Sequence, residues 1–193
     1  YLWSDGSSSE DISNITSGIY SVTVTDFVGC NVSTTITVPE PLPVFITTIV
    51  TDVSCNGGSD GTATVNPSGG NAPYTYLWSG TGSQTNATAT GLSAGTFYIT
   101  VTDNAGCLQA DTVTISEPAS ITMSLSATDA TCSGNDGTAT VTAGGGTGTL
   151  TYTWNDANAQ TNTVATGLSG GTYSVTIIDG NSCSAIDSIT VGE

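Results

Sequence analysis

Residues 90–103 read TGLSAGTFYITVTD, and residues 166–179 read TGLSGGTYSVTIID. In the first stretch Phe97, Ile99 and Val101 alternate with Tyr98, Thr100 and Thr102. A two-residue apolar period is the signature of a strand with one buried face. Leu92-Ser93-Ala94-Gly95 reads as the corner before that strand. Asp103-Asn104-Ala105-Gly106 reads as the hairpin turn after it, because Asp, Asn and Gly favour tight turns. Two near-copies of one strand with the same flanking turns make the chain a repeat protein.

The repetition extends outward from there. Residues 51–65 read TDVSCNGGSDGTATV and residues 128–141 read TDATCSGNDGTATV. Trp3, Trp78 and Trp154 lie 75 and 76 residues apart; Cys30, Cys107 and Cys183 lie 77 and 76 apart. Cys55 and Cys132 are 77 apart, and Glu40-Pro41 recurs as Glu117-Pro118. The unit is therefore 76–77 residues long. The expected division is a complete repeat at 42–118, another at 119–193, and the C-terminal part of an earlier repeat at 1–41. On that division the chain is an excerpt of a longer array.

Within 42–118 the alternation places strand A at Val44–Thr51, B at Thr62–Val65 and C at Tyr74–Trp78. A short strand falls near Ala89, F at Phe97–Thr102 and G at Thr112–Ser116. Pro67–Pro73 reads as a Gly-rich turn. Seven short strands in fewer than 80 residues predict an all-β chain of tandem immunoglobulin-like β-sandwiches. The expected core holds Trp3, Trp78 and Trp154 from strand C and Tyr20, Phe97 and Tyr173 from strand F. Each Glu-Pro pair ends a strand G and restricts the linker that follows.

Composition narrows the chemistry. The chain has 16 acidic residues and no Lys, Arg or His, for a net charge of −16. An average chain of this length would hold about two dozen basic residues. No internal Lys or Arg salt bridge, Schiff base, isopeptide bond or His-based triad can form. Nothing neutralises phosphate, so nucleic acid and direct membrane contact are excluded as partners. The carboxylates are scattered through turns, and the Gly-rich runs precede no helix and no Lys, so no enzyme is expected. Thr (37), Ser (24) and Gly (24) dominate, which suits strands and turns.

The run SCNGGSDGTATV, then GGNAPYTYLWSG, then GLSAGTFYITVTDNAGC, then VTISEP, resembles the SprB-type repeat of gliding Bacteroidota surface adhesins. The first copy is looser, with Asn14-Ile15-Thr16-Ser17-Gly18 at the corner. The resemblance implies a PKD-like or Ig-like sandwich, export by the type IX pathway and display as a filament on the cell surface, in surface attachment and gliding motility. Alternatives are a module that binds a ligand or glycan through Gly80–Thr88 and Asp156–Thr163, and a subunit that assembles with like chains into a filament or sheath. The partners implied are neighbouring repeats, surface polysaccharide or like chains.

An exported repeat with Cys at fixed positions favours disulfides. Cys55 lies in the A–B turn and Cys107 in the F–G turn, at opposite ends of a sandwich. A strand of about six residues separates those ends by roughly 20 Å, whereas a disulfide needs Cα atoms within about 7 Å. Head-to-tail stacking instead brings the A–B turn of one repeat to the F–G turn of the next. That favours Cys55–Cys183 between domains, with Cys107 pairing upstream and Cys132 downstream, and Cys30 also left to a partner outside the excerpt. The intradomain alternative pairs Cys55 with Cys107 and Cys132 with Cys183; buried free thiols are the third reading.

Two further sites are expected from residue type. Asp52 or Asp60 could meet Asp179 across abutting ends and hold Ca²⁺, although Asp in turns also makes local hydrogen bonds. No other cofactor is expected. Asp111-Thr112-Val113 and Asp187-Ser188-Ile189 fit the short O-glycosylation pattern of Bacteroidota, with Thr112 and Ser188 as acceptors.

Overall fold

A computed structural model describes every residue except Thr81 and Ser133. The described residues form fifteen strands and no helix. Strands β1 (Leu2–Trp3), β2 (Gly18–Thr25) and β3 (Asn31–Val38) make one sheet. Next come β4 (Val44–Thr51), β5 (Gly61–Gly69), β6 (Thr75–Ser79), β7 (Thr88–Leu92), β8 (Gly95–Thr102) and β9 (Leu108–Ile115). They form two antiparallel sheets, β4-β5-β7 and β6-β8-β9. The same order returns in β10 (Thr122–Thr128), β11 (Gly137–Gly144), β12 (Thr151–Trp154), β13 (Val164–Leu168), β14 (Gly171–Ile178) and β15 (Ser184–Val191). Its sheets are β10-β11-β13 and β12-β14-β15.

In each pair one sheet carries strands A, B and E and the other C, F and G, the arrangement of an immunoglobulin-like sandwich. The strands alternate, so each sheet gives one apolar face to a shared core. In the first sandwich Ala63, Val65, Ala89 and Leu92 face Trp78, Ile99, Val101, Val113 and Ile115. In the second Ala139, Val141, Ala165 and Leu168 face Trp154, Val175, Ile177 and Val191. The small residues of the A-B-E sheet leave room for one indole. Trp78 and Trp154 are buried, and each Nε1–H is satisfied, donating to Asn86 O at 2.9 Å and Asn162 O at 3.0 Å. Beyond strand A, the Val53 and Ala130 N–H groups donate to Ser116 and Gly192 carbonyls at 3.1 and 2.9 Å. These bonds close one side of each sandwich.

Several sequence expectations need correction. Six strands form per sandwich rather than seven; the segment after β6 crosses to β7 without pairing. Strand B does not stop at Val65 but runs on through Pro67, which pairs with Ile46. The Val65 N–H points to the β7 side and donates to Ala87 O. Two residues further on, Pro67 faces that same side where β7 has ended, so its missing N–H leaves no ladder bond unmade. Phe97 and Tyr173 are half-buried at the rim of their cores rather than within them. Trp3 and Tyr20 are also only half-buried, because no second sheet faces β1-β2-β3 among the described residues. Ile36, on that open face, is 55% exposed, whereas its counterpart Val113 is 4% exposed.

Candidate functional site

The chemistry-bearing residues gather at the two ends of each sandwich, and the junction between sandwiches brings opposite ends together. The F–G turn is built around one carboxylate. Asp179 Oδ1 accepts the N–H groups of Asn181 and Cys183, both at 2.9 Å, and Oδ2 accepts that of Thr147 in the B–C loop at 2.7 Å. Asp103 repeats this with Ala105, Cys107 and Asn71. Asp26 holds Val28 and Cys30 in the same way. Each Cys is thus the residue that closes a hairpin pinned by the Asp four positions earlier. The pinned amide groups hold the Asp103 carboxyl below its ordinary value, the Asn71 N–H most of all. Burial pushes Asp179 up, but the N–H groups of Thr147, Cys183 and Asn181 outweigh it and leave its carboxyl lowered.

The A–B loop is pinned by a second carboxylate. Asp60 accepts the Ser54 N–H at 3.0 Å and the Ser54 hydroxyl. Asp136 takes the N–H and hydroxyl of Thr131 at 2.8 and 3.0 Å. Both carboxyls are lowered by these bonds, the Ser54 hydroxyl leading for Asp60 and the Thr131 N–H for Asp136. Asp52 accepts the Ser116 N–H at 2.7 Å, tying strand A to the end of strand G.

At the junction Cys55 and Cys183 form a disulfide, with an S–S distance of 2.02 Å and Cα atoms 5.6 Å apart. Hydrogen bonds surround it. Asn181 Nδ2 donates to Ser54 O at 3.0 Å across the junction. The linker is held from both sides. Gly57 N–H donates to Glu117 Oε2 at 2.7 Å, and Asn56 Nδ2 to Pro118 O at 3.1 Å. From the second sandwich Gly146 N–H donates to Ala119 O at 2.9 Å. A cleft of about 220 Å³ remains beside the bridge, lined by Cys55, Asn56, Pro118, Ile121 and Asp179 among others. That is smaller than the ~300 Å³ at which small-molecule sites begin.

Other expected sites fall as follows. Cys30 and Cys132 are exposed free thiols, and Cys107 is a half-buried one. Asp52, Asp60 and Asp179 do not converge: each spends its carboxylate on its own turn, and the described residues contain no group of three Asp, Glu, Cys or His that could hold a metal. Thr112 and Ser188 are exposed on β9 and β15, each with its N–H bonded to the preceding Asp at 2.8 Å. In the segments considered for ligand binding, Gln84 and Gln160 bond in both directions with Thr90 and Thr166, fastening those segments to strand E. Thr81 lies outside the described residues.

Sequence reasoning missed the role of the strand F tyrosines. Tyr20 and Tyr173 donate their hydroxyls to the carbonyls of Thr16 and Ser169, at 2.9 and 3.0 Å. This is the tyrosine corner of immunoglobulin-like domains. Tyr four residues after a corner Ser or Thr was the available signal; Phe97, which lacks the hydroxyl, obscured it.

The SprB repeat family matches residues 47–83 and 124–159. Each matched segment holds the A–B loop with its Cys and Asp, strand B, the B–C loop and the strand C Trp. No curated protein matches the chain. Among solved structures, it is similar to the N-terminal eight Ig domains of Down syndrome cell adhesion molecule isoform 1.30.30. There the TM-score is 0.43 and the identity 13%, over 91% of this chain and 28% of that one. The amphioxus IgVJ-C2 molecule gives a TM-score of 0.32 at 14% identity, covering 80% of this chain and 99% of that one. The surface layer protein SbsC, domains 4–9, gives 0.23 at 16% identity, covering 92% and 35%. The repeat family together with the disulfide supports an extracellular structural module, and the two matched segments of this chain are SprB repeats.

Proposed function

We propose that the chain is a structural segment of a secreted filamentous cell-surface adhesin, extending or forming a fibre for surface attachment and gliding. The observation that carries this reading is the junction. A linker bonded to both neighbours and a disulfide beside it make consecutive sandwiches one stiff unit, which is what a spacer requires and a ligand site does not. The acidic, Lys- and Arg-free composition adds resistance to trypsin-like proteases. It also supplies mutual repulsion between arrays, screened beyond about 8–10 Å at physiological salt.

The test is made in the full adhesin on cells. Replacing Ser83, Gln84 and Asn86 by Ala should leave attachment and gliding unchanged, whereas deleting a whole repeat should shorten the fibre measurably. Loss of attachment with fibre length unchanged after the Ala replacements would overturn the spacer reading in favour of a binding module.

A further inference from the structure

We propose that the A–B loop around Cys132 and the F–G turn around Cys30 are open halves of the connector that Cys55 and Cys183 close, and that a second copy of this chain supplies the missing half. The inference deepens the reading of the chain as a stapled array. The closed Cys55–Cys183 bridge is the observation that assigns a partner to each free thiol.

Cys132 stands in the same setting as Cys55. Asp136 holds the N–H and hydroxyl of Thr131 as Asp60 holds those of Ser54. The Ala130 N–H meets the end of strand G as the Val53 N–H does. Cys30 stands in the setting of Cys183. Asp26 holds the N–H groups of Val28 and Cys30 as Asp179 holds those of Asn181 and Cys183. The Asp26 N–H donates to Cys30 O at 2.9 Å, and the Asp179 N–H to Cys183 O at 3.0 Å. Both thiols are exposed. Cys107 has the same turn but packs partly against the first core, which leaves Cys30 the open F–G thiol. Val28 replaces Asn181, so the polar contact to the opposing loop carbonyl is absent and the covalent bond does the joining.

Closing the bridge requires an oxidant, here a small-molecule disulfide. The Cys132 thiolate attacks that disulfide, forming a mixed disulfide and expelling one thiolate. The Cys30 thiolate of the second copy then attacks the Cys132 sulfur and expels the other. The two cysteine protons end on the two released thiols. Each copy carries one half of each kind, so the contact is head-to-tail and does not close on itself.

The experiment incubates the purified chain at rising concentration in oxidised and reduced glutathione, followed by non-reducing electrophoresis. Peptides are mapped after cleavage at Asp, since the chain offers trypsin no site. The expected result is a concentration-dependent ladder of disulfide-linked multimers containing a Cys132–Cys30 cross-peptide. Cys132→Ser and Cys30→Ser should each abolish the ladder while Cys55–Cys183 persists. A ladder that survives either substitution, a Cys132–Cys132 link, or Cys132 found only as its glutathione adduct would overturn the proposal. Absence of Cys55–Cys183 itself would overturn the stapled-array reading instead.

Discussion

Asp103 and Asp179 each gather three backbone N–H groups from two loops, and the loop opposite must come close enough to be gathered. Gly70 and Gly146 make that approach. Both have positive φ, 56° and 66°. A Cβ on Gly70 would lie 2.7 Å from both Asp103 Oδ2 and Val44 Cγ2. Gly70→Ala should therefore cost at least the ~1–2 kcal/mol of a left-handed non-glycine residue, read as a lower urea midpoint. Tyr173→Phe removes one hydroxyl-to-carbonyl bond and should cost about 1 kcal/mol. In the first sandwich Phe97 already lacks that bond, so Phe97→Tyr should instead gain from the Ser93 carbonyl, checked by the same titration. At this scale the sequence was readable where a residue type has one use, as for the buried Trp. It was opaque where the partner is a backbone atom, as for the tyrosine hydroxyls, because no side-chain pattern marks a carbonyl.

The turns are the elements most sensitive to acid. Asp60, Asp103, Asp136, Asp156 and Asp179 are all held below 3.8 in the folded chain. The unfolded chain takes up protons first, so the stability these carboxylates provide is complete above their unfolded value and is lost as pH falls through the folded one. With no His in the chain, the melting temperature should be nearly flat between about pH 5 and 7 and fall below about pH 4. Moderate salt should be present so that relief of the net negative charge does not mask the loss. A melting temperature that rises steadily below pH 4 in salt would contradict this account of the turns. Strand positions were legible from alternation, which locates β8 to within two residues of its reading. Strand ends were less so: Pro67 suggested a turn, and only the early end of β7 makes a proline harmless there.

At the scale of the whole molecule, the pairing of A–B and F–G turns follows from topology, since strand length keeps the two ends of a sandwich apart. The stiffness of the linker does not, because it depends on Glu117, Pro118 and Ala119 being bonded by loops distant in sequence. Cys183→Ser should therefore leave both sandwiches folded, with thermal unfolding of each little changed, while small-angle scattering shows a broader distribution of end-to-end distances. Unchanged scattering would mean the hydrogen bonds alone fix the junction.

The bridge also decides which parts of the chain feel a pull. Cys55 and Cys183 are 128 residues apart in sequence. Tension applied through the chain ends runs along residues 1–55, crosses the sulfur atoms and leaves along 183–193. Strands β5 to β14 lie off that load path, so neither Trp core can be unravelled from its ends while the bond holds. Reduction should release a hidden contour length of roughly 400 Å or more, visible as added extension in single-molecule pulling with reductant. The disulfide would then act as a mechanical fuse, set by the redox state of the surroundings rather than by the strength of the cores.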